Sequence, residues 1–113
     1  MVYLHIWADG DKTDVIRDFE APADALDGAD VLVAAYEYEN YSGDAYVLFR
    51  RGGKLLEVSG SHCSCYGLEG QWEPEETAAE TLLARIERGG DWYIHGVKDA
   101  VLAAISHDGQ ATA

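Results

Sequence analysis

Basic residues are scarce in this chain. Its 113 residues include eight Lys and Arg against 21 Asp and Glu, which gives a net charge of −13. A surface with this charge is repelled by phosphate backbones and by anionic lipids. We therefore expect no direct binding to nucleic acid and no binding to a membrane surface.

Long hydrophobic runs are also absent. No apolar stretch approaches the ~18 residues that span a bilayer, and residues 1–7 lack the basic segment that opens a signal peptide. Both absences predict a cytoplasmic protein. Cysteine is limited to Cys63 and Cys65, so a disulfide scaffold is not expected and reduced thiols are the default.

The remaining composition is typical of a globular protein, with 48% hydrophobic and 11% aromatic residues. There are no internal repeats, low-complexity tracts or linkers. We predict one domain over residues 1–109, followed by a frayed tail over residues 110–113.

Three segments in the middle of the chain predict a β-meander. Residues 31–39, 45–50 and 55–59 are rich in β-branched and aromatic residues. Gly52 and Gly53 supply a hairpin turn between the last two segments. In the first segment, alternation puts four side chains on one face: Leu32, Ala34, Tyr36 and Tyr38.

Helical patterns dominate the C-terminal part. Glu73 to Glu76 is predicted to open a helix, because proline and acids suit a first turn, and residues 97–106 predict another helix. Residues 13–20 fit either a short helix or a strand. The order of elements predicts an α+β fold, an antiparallel β-meander with helices packed on one face and mainly C-terminal.

The acidic residues are concentrated in the first half of the chain. Residues 1–45 contain eleven acids against Lys12 and Arg17. One interpretation is a solvated surface that keeps the protein in solution; the other is a surface for a cationic partner. On the second interpretation the candidate partner-binding residues are Asp9, Asp11, Asp14, Asp18, Glu20, Asp24, Asp27, Asp30, Glu37 and Glu39.

A glycine-rich loop holds the residues best suited to chemistry: His62, Cys63 and Cys65. Two thiolates and an imidazole suit zinc, although Cys-x-Cys is tighter than the usual knuckle. A cysteine nucleophile is a second possibility, but the negative field of the protein raises a thiol pKa and opposes it. A structural loop without a cofactor is the third interpretation, and it is the one we favour.

Two stretches resemble a family of small proteins encoded by bacteriophages and prophages. They are YSGD at 41–44 and GSHCSCYGLEGQWEPE at 60–75, and the similarity covers residues 36–88. The resemblance implies a bacterial host cell and, by analogy with other small acidic phage proteins, an inhibitor of the anti-CRISPR or anti-restriction kind. It carries over no catalytic residues.

Together these observations predict a binding protein rather than an enzyme. Its partner would be a host protein with a basic surface, such as a nucleic-acid-binding protein, which the acidic residues engage as a nucleic-acid mimic. The alternatives are a zinc-stabilised accessory protein and a cysteine-dependent enzyme.

Overall fold

In the part of the chain that the structure describes, five strands form a single sheet and three helices flank it. The structure, a computed structural model, describes residues 2–39, 42–62, 68–88, 94 and 96–112, and their side chains except at positions 2, 38, 39, 42, 62 and 107–112. The elements in chain order are β1 (Val2–His5), α1 (Lys12–Phe19), β2 (Asp30–Glu39), β3 (Ser42–Arg51), β4 (Lys54–His62), β5 (Glu75–Thr77), α2 (Ala79–Glu87) and α3 (Val97–Thr112). None of the helices in these ranges has the length and apolar character that crossing a membrane requires.

The strands lie side by side in chain order, from β1 to β5. β1 is parallel to β2, and the other three pairs are antiparallel. β2, β3 and β4 therefore form the predicted antiparallel meander. The α+β class is confirmed.

The turn between β3 and β4 is the two-glycine hairpin predicted from the sequence. Gly52 and Gly53 have φ values of 58° and 79°, which glycine adopts without steric cost. Arg51 pairs with Lys54 across the turn. This pairing sets the register of the whole β3–β4 hairpin.

Both faces of the sheet are covered by helices. Leu82 of α2 and Val101 of α3 are buried with Leu48 on one face, the α2–α3 core. Phe19 of α1 is buried with Phe49 on the opposite face, the α1 core. The two C-terminal helices share one face, as expected, and residues 13–20, which fitted either a helix or a strand, lie in helix α1 and its C-cap on the opposite face. Leu48 and Phe49 are adjacent on β3 and enter different cores, because side chains alternate between the two faces of a strand.

A β-bulge in β2 changes the alternation predicted for that strand. The register of β2 against β3 shifts at Leu32, and Leu32 packs against the α2–α3 core. Ala34 and Tyr36 pack in the α1 core instead. The prediction of one shared face is therefore wrong for Leu32, because a bulge inserts one residue into the pleat. The side chain of Tyr38 lies outside the described residues.

The C-terminal elements begin and end at different residues than expected. Glu75 to Thr77 pairs antiparallel with β4, and α2 begins only at Ala79. A helix opening at Glu73 to Glu76 is therefore wrong, because the free edge of β4 satisfies backbone groups that a first helical turn leaves unpaired. Helix α3 runs to Thr112, past the predicted end at Ser106.

Candidate functional site

Two of the predicted partner-binding acids form the cap that starts α1. Asp11 is the N-cap residue, and its Oδ1 accepts a hydrogen bond from the Thr13 amide at 2.8 Å. Asp14 Oδ2 accepts one from the Asp11 amide at 2.9 Å. This capping box satisfies two amides that the helix leaves unpaired. The pKa of Tyr3 on β1 is raised by burial and, to a smaller extent, by the charges of Asp11 and Asp14.

Asp18 is bonded to the core beneath α1. Its Oδ2 accepts a hydrogen bond at 2.7 Å from Nε1 of Trp7, which is 1% exposed. Arg17 contacts Asp14 at 3.0 Å and Asp18 at 3.3 Å, and the hydrogen bond to Asp18 is the main cause of its raised pKa. The arginine of α1 is thus engaged by the carboxylates of α1 itself.

Five other predicted partner-binding acids are exposed to solvent. Within the described residues their carboxylates make no hydrogen bond or ion pair. They lie in the turn before α1, at its left-handed C-cap, in the loop after it and at the first residue of β2. We call them the exposed acid set: Asp9, Glu20, Asp24, Asp27 and Asp30.

Glu37 and Glu39 are placed differently. Glu37 follows Ala35 on the strand face that packs against α2 and α3, and its Oε2 lies 3.3 Å from Nε2 of His5. The side chain of Glu39 lies outside the described residues. The acids of α1 and Glu37 therefore lie on opposite faces of the sheet.

The predicted zinc ligands cannot be assembled from the described residues. Cys63 and Cys65 lie outside them, and only the backbone of His62 is described, at the end of β4. Elsewhere in the described ranges, no group of three His, Cys, Asp or Glu side chains is positioned to hold a metal ion. The zinc site stays a prediction.

A cavity of about 440 Å³ lies between the sheet and the two C-terminal helices. Val97, the first residue of α3, and Ile94, three residues before it, form part of its apolar wall. Among the described residues, its polar wall comes from β3, β4, α2 and the segment before β5: Asp44, Tyr46, Ser59, Ser61, Gln71 and Arg85.

The side-chain amide of Gln71 bonds the backbone of Ser61 in the cavity wall, in the way that a residue of a neighbouring strand would. Its Oε1 accepts a hydrogen bond from the Ser61 amide at 2.8 Å, and its Nε2 donates one to the Ser61 carbonyl at 2.6 Å. The two bonds attach the chain after residue 68 to the end of β4. They hold this end of β4, with the hydroxyl groups of Ser59 and Ser61, beside the cavity.

A polar cluster of Tyr46, Glu57 and Arg85 stands at one end of the cavity. The Tyr46 hydroxyl donates to Glu57 Oε2 at 2.7 Å, and Arg85 donates to both carboxylate oxygens at 2.9 and 3.2 Å. The Glu57 side chain is 12% exposed. Burial, followed by the Glu57 charge, strongly raises the pKa of Tyr46. Tyr46 therefore stays a neutral donor, and Glu57 and Arg85 compensate each other.

We expect Tyr46→Phe to lower the free energy of unfolding by about 1.5 kcal/mol at pH 7, because Glu57 loses a hydrogen bond. Since the folded-state pKa of Tyr46 lies above the usual 10, wild-type stability is retained below pH 10 and falls above it. The variant escapes this loss, which is about 1.4 kcal/mol per pH unit. Urea unfolding from pH 7 to 11.5 should show the unfolding free energies of the wild type and the variant converging near pH 11. A constant difference between them would contradict the raised pKa of Tyr46.

The polar residues around the cavity are not among the site residues predicted from the sequence. Asp44 and Tyr46 are two residues apart on β3 and therefore share a face. Their register partners on β4, Ser61 and Ser59, share the same face. The pairing of these strands follows from the length of the Gly52–Gly53 turn, so the sequence did carry a signal for this row. The sequence carried no signal for the position of α2, which brings Arg85 beside these four residues.

Three comparisons with known proteins were negative. No protein-family model matches the chain, no curated protein is similar to it, and no solved structure matches its fold.

Proposed function

We propose that the protein is a stoichiometric binding protein that applies the exposed acid set to the basic surface of a host nucleic-acid-handling protein and inhibits it. The observation that carries this proposal is the charge of residues 9–30, which contain eight acids against Lys12 and Arg17. Arg17 is engaged by Asp14 and Asp18. Within the described residues, the carboxylates of the exposed acid set form no ion pair.

Electrostatics supports a cationic partner for such a segment. Carboxylates that are crowded on a compact fold repel each other and destabilise it. Contact with the cations of a partner would relieve this repulsion. The groove of a protein that binds duplex DNA is lined by Lys and Arg, because the DNA carries one negative charge per ~1.7 Å of helix axis. A dense set of carboxylates suits the same groove and would compete with DNA for it.

The resemblance of residues 36–88 to phage and prophage proteins supports a bacterial protein as the partner. Inhibition of the anti-CRISPR or anti-restriction kind fits that setting and requires no enzymatic step. The exposed acid set lies outside the half of the chain that carries the resemblance. The docking surface would thus be particular to this protein.

The test neutralises three members of the exposed acid set, whose carboxylates make no bond among the described residues. In a variant with Asp9→Asn, Asp24→Asn and Asp27→Asn, we expect affinity for the partner to fall about tenfold or more at 0.1 M salt, because three steering charges are lost. The partner is first recovered from a bacterial lysate on immobilised protein and identified by mass spectrometry. Its affinity is then measured by biolayer interferometry, with duplex DNA as competitor.

The control variant carries the same charge change elsewhere. Glu76→Gln, Glu80→Gln and Glu87→Gln alter three exposed residues on β5 and α2 and should leave the affinity within about twofold. Equal losses in both variants would mean that only net charge matters, and they would refute a defined docking surface. A partner that duplex DNA does not displace would refute the mimicry.

A further inference from the structure

We propose that the cavity between the sheet and α2–α3 binds a small primary ammonium compound with an uncharged body, and that Asp44 holds its ammonium group. This inference does not rest on the proposed function, because the cavity and the exposed acid set involve different residues. A volume of about 440 Å³ lies within the range of small-molecule sites.

Asp44 is a half-buried carboxylate in the cavity wall, with no counterion among the described residues. It lies on β3 directly opposite Ser61 of β4, and within the described part of the chain its side chain makes no hydrogen bond or ion pair. A partly buried charge without a partner loses hydration that nothing replaces. An ammonium group would supply both the charge and the hydrogen bonds.

The strand on the other side of Asp44 adds to the negative potential. Glu37 of β2 is the register partner of Asp44, and like charges directly opposite each other on a sheet are destabilising. His5 lies on the Glu37 carboxylate, so Asp44 remains the member of this pair that faces the cavity. A bound cation would relieve the repulsion between the two carboxylates.

The far end of the cavity selects the charge of the rest of the ligand. Glu57 lies four residues from Ser61 along β4, or about 13 Å at the rise of a strand, and it is compensated there by Arg85. Because its carboxylate is already engaged by Tyr46 and Arg85, Glu57 offers no partner to a second ammonium group. The ligand is therefore a monocation whose body extends towards Ile94 and Val97.

Tyr46 connects the two ends of the site. It shares a strand face with Asp44, is 5% exposed, and has its hydroxyl fixed on Glu57. Ser59, its register partner, adds a hydroxyl to the same row. The wall beside the ammonium site thus combines an aromatic ring with small polar groups, which suits an aryl or alkyl amine.

The experiment compares two probes of similar shape by isothermal titration calorimetry: 2-phenylethylamine, which is charged, and 2-phenylethanol, which is not. The wild-type protein should bind the amine and bind the alcohol much more weakly. Asp44→Asn should reduce affinity for the amine about tenfold or more, because a charge-assisted hydrogen bond is lost. Equal binding of the two probes to the wild type would refute the proposal.

Two further variants locate the binding. Asp24→Asn removes the same charge from the loop after α1 and should leave amine affinity within about twofold. An equal loss in that variant would refute a specific site in favour of general attraction to a protein of charge −13. Ser59→Leu fills the cavity on a strand position that is exposed to it and should abolish binding while circular dichroism stays unchanged. Retained binding in a folded Ser59→Leu protein would overturn the location.

Discussion

Phe19→Ala is expected to lower the free energy of unfolding by about 3–5 kcal/mol, the cost of a large-to-small change in a packed core. Phe19 is fully buried under α1. Its ring centroid lies 5.2 Å from Trp72 and 6.1 Å from Trp7. The strand beneath it is fitted to the ring: a Cβ added to Gly60 would lie 2.9 Å from Phe19 Cε1.

This substitution should also detach the segment that carries the exposed acid set. α1 has eight residues, too few to be stable alone, so its stability depends on packing. Urea unfolding followed by tryptophan fluorescence and circular dichroism measures the loss. Leu83→Ala is the matched control, because Leu83 is 40% exposed and its loss should cost well under about 1 kcal/mol. Similar effects in the two variants would contradict the α1 core.

Arg85→Ala is expected to cost about 2–3 kcal/mol. The Glu57 carboxylate would keep only the Tyr46 hydrogen bond and would stay largely buried without a counterion. Removing one member of a buried ion pair costs about 3–5 kcal/mol, whereas exposed pairs are worth at most about 1. The Arg85 side chain is 32% exposed, so an intermediate value follows.

Two comparisons separate this effect from a general loss of positive charge. Arg88→Ala removes the same charge from an exposed position at the end of α2 and should change stability by less than about 0.5 kcal/mol. Adding Glu57→Gln to Arg85→Ala should restore part of the lost stability, because the uncompensated charge is removed. If the double variant is no more stable than Arg85→Ala in chemical denaturation, the cluster does not act as an ion pair.

The hairpin shows how far local sequence determines this fold. Two adjacent glycines between two β-rich segments leave a two-residue turn as the simplest connection. Each residue back along β3 from Arg51 then pairs with one residue forward along β4 from Lys54, so that Tyr46 meets Ser59 and Asp44 meets Ser61. This register rests on backbone geometry that neighbouring residues alone can set.

The errors arose where two local signals conflicted with long-range pairing. Glu75 and Glu76 suit the start of a helix, but the edge of β4 pairs with them. Alternation along β2 predicted one face for Leu32 and Ala34, but the bulge separated them. A strand edge and a bulge both depend on the partner strand, which periodicity does not reveal.

Composition and neighbouring residues are enough to predict the charge of −13, the concentration of acids before residue 45, the α+β class and the β3–β4 register. The packing of the elements decides which carboxylates reach the core: Asp18 bonds Trp7, whereas the Asp24 carboxylate makes no bond among the described residues. It also decides that Arg85 of α2 reaches Glu57 of β4 and lines the cavity there. These outcomes depend on which apolar faces meet, and that contact joins residues far apart in the chain.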